Sequence, residues 1–347
     1  MHGSSGSLAR NKWRRRWRPT NIESRRRKPD YFCFIWGLSK MRKSIVFICI
    51  LSLIVMTTAC DGNATSHSIL TPKASAEAVQ QNTTLTYTNL GDKTVQSEVR
   101  DILISGGIPE KYIDKVFVWI NDFNECMGSC ESYSIENSWI TAAIPVVDYG
   151  EYAPMSELWY KQNNRQYSDV LCRIAAYQLI QDNVDIQQPI NKKDWECYSD
   201  TQWLYSDWDA LSNFSLIAFD EQETSEYFTL FNPVTISAGC SQDEMYQAIQ
   251  SAWKSRKISF AQNKVSLITI WTQSESQTAA AHAAVLIQED QGYLLFEKTN
   301  PQSPYQATKF STIEQVKQYM YEAIHIDDAR YGFETGDYIV MQNDNLL

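Results

Sequence analysis

A thiol, an imidazole and a carboxylate lie far apart in this sequence, in positions that suit acyl-transfer chemistry. Cys172 lies in YSDVLCRIAAYQ (167–178), where Ser168 and Asp169 precede an apolar segment with helical spacing, as helix-capping residues do. A thiol in the first turn of a helix meets free backbone N–H groups and the positive end of the helix dipole, which favour the thiolate. Cys172 is therefore predicted to be either a nucleophile or a small core residue.

Two histidines, His282 and His325, lie beyond residue 84, where the folded part of the chain is expected to begin. His325 follows a predicted helix that ends at Ile324, so it is interpreted as a C-terminal cap that the helix dipole favours. His282 opens the apolar stretch HAAVLIQ, which has the character of a buried strand. An imidazole at the start of a strand is a suitable general base for a thiol.

The register of a predicted hairpin gives His282 a partner. A turn centred on Asp290 and Gln291 places residue 284 opposite 297 and residue 282 opposite 299. His282 and Glu297 then share one face of the sheet as diagonal neighbours, because side chains alternate between faces along a strand. A register shift of one residue would separate them, and Asn300 is then the alternative orienting group.

These residues together predict a nucleophile, a general base and an orienting group. Cys172 would attack a carbonyl, His282 would serve as base and then acid, and Glu297 would hold the imidazole in one tautomer. The backbone N–H of Cys172 would donate to the oxyanion, together with a side chain from the preceding segment. The candidates for that side chain are Asn163, Asn164 and Gln166.

The elements that must position these groups are helices first and strands later. The spacing predicts helices over Glu98–Ser105, Pro109–Phe123, Asp243–Lys254 and Thr312–Ile324, and strands over 265–271, 283–288, 293–297 and Asp337–Met341. The residues Pro301, Pro304 and Tyr305 predict a rigid loop after the third strand. The fold class is α+β, with a helical first part followed by an antiparallel sheet.

The first 84 residues have a different composition from the rest. Residues 1–40 are a basic extension expected to be disordered, either an upstream or misassigned start or a segment left on the cytoplasmic side. Residues 41–59 have the positive region, apolar core and small residues of a lipoprotein signal peptide, which predicts lipidation of Cys60. Residues 60–84 are polar and predict a flexible tether, and residues 85–347 a single domain.

The charge distribution limits the partners of that domain. Of the 31 Lys and Arg residues, 13 lie in residues 1–43, with only two of the 41 acids. The rest of the chain is strongly acidic, which argues against nucleic acid and against direct docking on anionic lipid. We therefore expect attachment to the cell membrane, on its extracytoplasmic face, through the lipid on Cys60.

The cysteines leave two arrangements open. With Cys60 set aside, the domain contains Cys126, Cys130, Cys172, Cys197 and Cys240. Either Cys126 bridges Cys130 and Cys197 bridges Cys240, which leaves Cys172 free, or all five are reduced. The CMGSC segment (126–130) has no histidine or second cysteine pair nearby, so we expect no metal and no cofactor.

The sequence also resembles two known groups of proteins. A helix-borne Cys172, a distant strand-borne His282 and a carboxylate on the next strand resemble papain-like thiol hydrolases in their Cys-His-Glu variants, which implies a papain-like or transglutaminase-like core. The Cys172-Arg173 pair, HAAVLI, FEK and PYQATKF resemble a bacterial lipoprotein family of unknown function, the domain numbered 4300. That family implies domain limits and a surface lipoprotein, and no activity.

The expected function is hydrolysis or acyl transfer at amide or peptide bonds at the cell envelope. Substrates within reach of a tethered domain are peptides, peptidoglycan stem peptides and surface proteins. The alternative is a non-catalytic lipoprotein that binds a ligand or a protein, with Trp271, Tyr293 and Tyr305 lining a groove. The two differ in whether the Cys172 thiol lies within reach of the His282 ring.

Overall fold

An antiparallel sheet organises the part of the chain that the computed structural model describes. The described residues are 84–130, 133, 138–150, 153–200, 203–274, 276–331 and 337–347, all within one unit, Ala78–Leu347. The predicted basic extension, signal peptide and lipidated Cys60 lie outside these residues, as does the predicted tether apart from residue 84. None of the described helices is both long and apolar enough to cross a membrane.

The main sheet contains nine strands. In chain order they are β1 (Leu85–Thr88), β2 (Ile140–Ala142), β4 (Val234–Thr235), β6 (Val265–Ser274), β7 (Gln277–Glu289), β8 (Gly292–Lys298), β9 (Tyr305–Phe310), β10 (Tyr338–Gln342) and β11 (Asn345–Leu346). Their spatial order is β11-β10-β6-β7-β8-β9-β1-β2, with β4 paired to the outer end of β7. β3 (Val184–Ile186) and β5 (Ile258–Phe260) form a separate antiparallel pair.

Most of the described helices precede the long strands. They are α1 (Lys93–Gly106), α2 (Glu110–Met127), α3 (Ala153–Lys161), α4 (Cys172–Ile180), α5 (Lys192–Trp195), α6 (Tyr205–Asn213), α7 (Glu221–Leu230), α8 (Gln242–Ser255) and α9 (Ile313–Tyr331). Asp92 caps α1 by accepting the backbone N–H of Thr94 at 2.8 Å, and Gly107 ends this helix with a φ of 101°. Helices followed by an antiparallel sheet confirm the predicted α+β class.

Each face of the sheet packs against its own helices. Leu267, Trp271 and Val285 point to one face and join the core of the first eight helices, where all nine residues of α4 are buried. Ile268 and Leu286 point to the opposite face and pack with residues of α9. The period-two alternation of the strands therefore separates a face covered by the helix of Cys172 from a face covered by α9.

Two predictions about the last third of the chain are wrong. The final helix does not end at Ile324 but continues to Tyr331, so His325 is an exposed mid-helix residue between the rings of Tyr321 and Tyr338. Tyr305 is not part of a loop but begins β9, where its side chain is 1% exposed. Because Trp271 is also buried, neither ring lines an open groove, as the binding-protein alternative required.

Candidate active site

The thiol of Cys172 lies at the first residue of α4. Leu171 is the N-cap residue in an extended conformation, without a side-chain cap, and the Ala175 N–H donates to the Leu171 carbonyl at 3.0 Å. The backbone N–H of Cys172 therefore precedes the hydrogen-bond ladder of the helix. The prediction of a thiol in the first helical turn is confirmed.

The residues predicted to cap this helix have another role. The Asp169 carboxylate accepts the N–H of Val170 at 2.7 Å and that of Gln302 at 3.1 Å. The Ser168 N–H donates to Asp209 at 2.7 Å. Ser168 and Asp169 therefore anchor the segment before α4 to other parts of the fold instead of capping the helix.

His282 and Glu297 meet across β7 and β8 in the predicted register. Ala284 lies opposite Glu297, so His282 is its diagonal neighbour on the same face. His282 Nε2 lies 2.8 Å from Glu297 Oε2, which leaves Nδ1 to face the thiol. Glu297, and not Asn300, therefore holds the imidazole at Nε2.

A bulge in β7 lies next to this histidine. His282 pairs with Ile270 of β6, whereas the next ladder pair joins Ala280 to Trp271. Ala281 is therefore an extra residue without a counterpart on β6. Bulges re-aim side chains at the ends of strands and are frequent beside active sites.

The other carboxylate oxygen of Glu297 is also held. Oε1 accepts the Tyr319 hydroxyl of α9 at 2.6 Å and the Gln306 amide of β9 at 3.3 Å. Gln306 in turn accepts the Tyr149 hydroxyl at 2.7 Å. Neither Tyr319 nor Gln306 was identified from the sequence, and both fix the carboxylate that orients His282.

The thiol and the imidazole shift each other's pKa. Burial raises the pKa of the Cys172 thiol, but the hydrogen bond to His282 and the charges of His282 and Arg173 outweigh burial and lower it. Burial lowers the pKa of His282, whereas the hydrogen bonds to Cys172 and Glu297 raise it, with a net value of about 10. The first shift favours the thiolate form of Cys172, and the second favours a protonated His282 at neutral pH.

Arg173, next to the nucleophile in sequence, pairs with a buried acid. Its Nε lies 2.8 Å from Asp207 Oδ1, and a second guanidinium nitrogen reaches Oδ2. A third donates to the Ala280 carbonyl at 2.6 Å. Asp207 also accepts the Tyr227 hydroxyl, so this forked contact ties α4 to α6, α7 and β7.

A second buried ion pair involves Asp169, in the segment before Cys172. Lys298, the residue after Glu297, is fully buried, and its ammonium lies 2.8 Å from Asp169 and 2.6 Å from the Ser303 carbonyl. It also lies 4.2 Å from the centre of the Phe123 ring and 4.4 Å from that of Tyr305. This pair joins the segment before Cys172 to the connection between β8 and β9.

The three candidates for the oxyanion side chain lie on an exposed segment. Asn163 and Asn164 have positive φ angles of 53° and 51°, and Gln166 donates to Asn164 and to the Arg165 carbonyl. None of the described hydrogen bonds joins these side chains to Cys172. The backbone N–H of Cys172, at the first residue of α4, stays the predicted oxyanion donor.

The described cysteines form no disulfide bonds. Cys126, Cys130, Cys172, Cys197 and Cys240 are all unbridged thiols, which is the second of the two arrangements left open by the sequence. Burial raises the pKa of Cys126 to about 11, and burial also raises that of Cys240. Among the described residues, no cluster of three or more His, Cys, Asp or Glu side chains is suited to a metal ion. Cys172 is thus distinguished from these two buried thiols by its lowered pKa.

Fold and site together define an α+β protein with a buried Cys-His-Glu constellation at the start of a central helix. Residues 86–347 match the family described as Domain of unknown function (DUF4300), so the chain belongs to that family. This match confirms the family resemblance carried by the Cys172-Arg173 pair and the HAAVLI strand. No curated protein and no solved structure matches the chain.

Proposed function

We propose that the domain is a thiol hydrolase or acyltransferase that acts on amide or peptide bonds through Cys172. The observation that carries this proposal is the hydrogen-bonded series of Cys172, His282 and Glu297, in which the thiol pKa is lowered and the imidazole pKa is raised. The placement of the thiol on a helix and of its partners on adjacent strands resembles the papain-like and transglutaminase-like hydrolases, which supports the proposal.

The proposed reaction has two acyl-transfer steps. The Cys172 thiolate attacks the carbonyl carbon, and the His282 imidazolium gives its proton to the leaving amine as the carbon–nitrogen bond breaks. The product of this step is a thioester on Cys172, with a neutral His282. His282 then takes a proton from water or from an acceptor amine, which attacks the thioester and releases the thiolate. Water gives hydrolysis, and an amine gives acyl transfer.

The surroundings of the thiol serve these steps in different ways. The backbone N–H of Cys172, at the first residue of α4, would donate to the carbonyl oxygen of the substrate as that oxygen gains charge. Glu297, held by Tyr319 and Gln306, stabilises the imidazolium and keeps Nδ1 toward sulfur. Cys172 and His282 are 5% and 7% exposed, so the constellation lies at the edge of the core and is not sealed within it.

We further propose that this enzyme works at the cell envelope. The sequence features that support this are the signal-peptide layout of residues 41–59, the lipidation site at Cys60 and the polar tether that follows. Substrates would be peptides, peptidoglycan stem peptides or surface proteins within reach of the membrane. Replacing Cys60 with Ala should move the expressed protein from the membrane fraction to the medium, and retention of this variant in the membrane would contradict the anchor.

Labelling with a peptidyl chloroacetamide tests the catalytic proposal. At neutral pH the probe should alkylate Cys172, and His282→Ala should slow that alkylation by about 10²-fold or more, because a neutral thiol replaces the thiolate. Cys172→Ser should abolish the modification at this position, while the exposed Cys197 gives an internal measure of non-specific labelling. Equal rates in the wild-type protein and His282→Ala would sink the pairing of thiol and imidazole and favour the binding protein.

The pH dependence of amide hydrolysis provides a second arm of this test. The rate should rise as Cys172 ionises below the usual thiol pKa, and fall as His282 loses its proton near pH 10. Glu297→Gln removes an interaction that raises the His282 pKa, so its basic limb should move to lower pH. A basic limb at the same pH in both proteins would show that Glu297 does not act through His282.

A further inference from the structure

A pocket opens beside His282 between the sheet and α9. Its apolar lining comes from the segment before α3, from β6 and from α9, and includes Val147, Ile270, Ala323, Ile324 and Ile326. Thr299 and Asn300, directly after β8, also line the pocket. Most of these side chains keep part of their surface exposed, so the pocket is open to solvent.

The charged groups at this pocket neutralise each other. Asp148 and Arg330 both line it and form an ion pair with one another. The other described lining residues, His282 apart, are apolar or uncharged. An apolar pocket whose two charged residues already form an ion pair favours an uncharged aliphatic group. A charged group would lose its hydration there and gain no oppositely charged partner.

The position of the pocket relative to the two reacting groups identifies which half of a substrate it faces. His282 lines the pocket, whereas Cys172 is not among its described lining residues. The imidazolium gives its proton to the leaving amine, so the leaving half of the substrate must lie against His282. We propose that this pocket binds an aliphatic side chain on the leaving-amine side of the scissile bond. The proposal rests on the proposed function and specifies its substrate class.

An acetyl-enzyme experiment can measure this preference without a known substrate. The Cys172 thiolate of the full-length protein takes the acetyl group from p-nitrophenyl acetate and releases p-nitrophenolate. An added amino acid amide then attacks the thioester, its proton passes to His282, and the thiolate leaves with formation of an N-acetyl amide. Because this step reverses amide cleavage, the amine occupies the leaving-group position. The ratio of N-acetyl amide to acetate measures binding there.

Leucine amide should intercept the acetyl-enzyme about tenfold better than glycine amide, since extra methylenes in a hydrophobic pocket give discrimination of that order or more. Glutamate amide should be no better than glycine amide. Ala323→Phe, which fills the pocket, should remove the leucine preference. Ile324→Asp, which adds a carboxylate, should favour lysine amide over leucine amide.

Ala261→Phe is the matched control, because residue 261 is exposed directly after β5 and does not line the pocket. This variant should keep the leucine preference. Equal interception by the glycine, leucine and glutamate amides would overturn the pocket assignment while leaving the thiol chemistry intact. The same conclusion follows if the leucine preference survives in both Ala323→Phe and Ile324→Asp. Failure of Cys172 to become acetylated at all would overturn the proposed function, and the pocket assignment with it.

Discussion

Two buried ion pairs flank the nucleophile, and they are built differently. Arg173 meets Asp207 through a fork of two contacts and also donates to the Ala280 carbonyl. Lys298 meets Asp169 as a single ammonium and fills its other contacts with the Ser303 carbonyl and two aromatic rings. The first pair fixes α4 itself, and the second fixes the segment that leads into it.

Burial disfavours the charged groups of both pairs, but the attraction within the pair outweighs burial in only one of them. Burial lowers the pKa of Arg173, but Asp207 outweighs burial and raises this pKa well above its usual value. In the second pair burial prevails, because it raises the pKa of Asp169 and lowers that of Lys298 despite their attraction. The charge of Arg173 is therefore strongly favoured, whereas burial disfavours the charged forms of both Asp169 and Lys298. The comparison teaches that the two pairs have different roles. The Arg173 charge lowers the pKa of the Cys172 thiol, whereas the Asp169–Lys298 pair fixes the segment before α4.

The largest expected difference between the two pairs is in stability, when each cation is replaced by methionine. Arg173→Met leaves Asp207 buried without its partner and should lower the free energy of unfolding by about 3–5 kcal/mol. Lys298→Met should cost less, about 1–3 kcal/mol, because Asp169 can become neutral by binding a proton. Urea unfolding at pH 7 measures both values, and a larger loss in Lys298→Met would refute the contrast.

Lys298→Met should also make stability depend on pH. Without the ammonium, burial raises the pKa of Asp169 further above the unfolded value of about 4. The folded state then keeps a proton that the unfolded state loses, so stability is retained below pH 4 and lost as pH rises through the folded pKa. Unfolding free energies measured from pH 4 to pH 8 should fall more steeply than in the wild type. Asp169→Asn combined with Lys298→Met should abolish the added slope, and an unchanged slope would contradict the assignment.

A smaller effect is expected on the pKa of the Cys172 thiol, and it also distinguishes the two cations. The Arg173 charge lowers the pKa of Cys172, so Arg173→Met should move thiolate formation to higher pH. Lys298 interacts with Cys172 through its charge as well, and its removal should shift the titration in the same direction by less. Iodoacetamide alkylation rates as a function of pH report both shifts. A larger shift in Lys298→Met would reverse the roles assigned to the two cations.

An exposed ion pair gives the smallest expected effect. Arg100 of α1 contacts Glu110 at 2.9 Å and Asp114 at 2.7 Å, with both carboxylates largely in solvent. Arg100→Met should therefore change the free energy of unfolding by about 0–1 kcal/mol, since water and salt screen exposed charges. A loss comparable with that of Arg173→Met would show that burial is not what separates these pairs.

The hairpin that carries His282 and Glu297 was predictable because a short-range signal sets its register. The turn before Gly292 determines which residues of β7 and β8 face each other, and Gly292 itself has a φ of 124°. A Cβ at this position would also collide with the backbone carbonyl of Phe310. Local turn chemistry thus placed His282 beside Glu297, and helical spacing placed Cys172 at a helix start.

The partners that hold these groups could not be found in the same way. Asp207 lies 34 residues after Arg173, and Tyr319 lies 22 residues after Glu297, with no periodic pattern between them. Such contacts depend on how whole elements pack, which spacing within one element does not encode. The end of α9 was placed too early, although the first Gly or Pro after Ile324 is Gly332, directly after Tyr331. β9 was missed because Pro304 suggested a loop.

The extra residue in β7 has a consequence for how the site tolerates change. Ala281 divides the strand into an outer part, paired with β4 and the end of β6, and an inner part that carries His282 and faces β8. A one-residue slip in an unbroken strand would turn every side chain to the opposite face. Here a slip in the outer part can be taken up at Ala281 before it reaches the histidine. Insertions or deletions in the connection between β6 and β7 should therefore be better tolerated than those in the turn before Gly292.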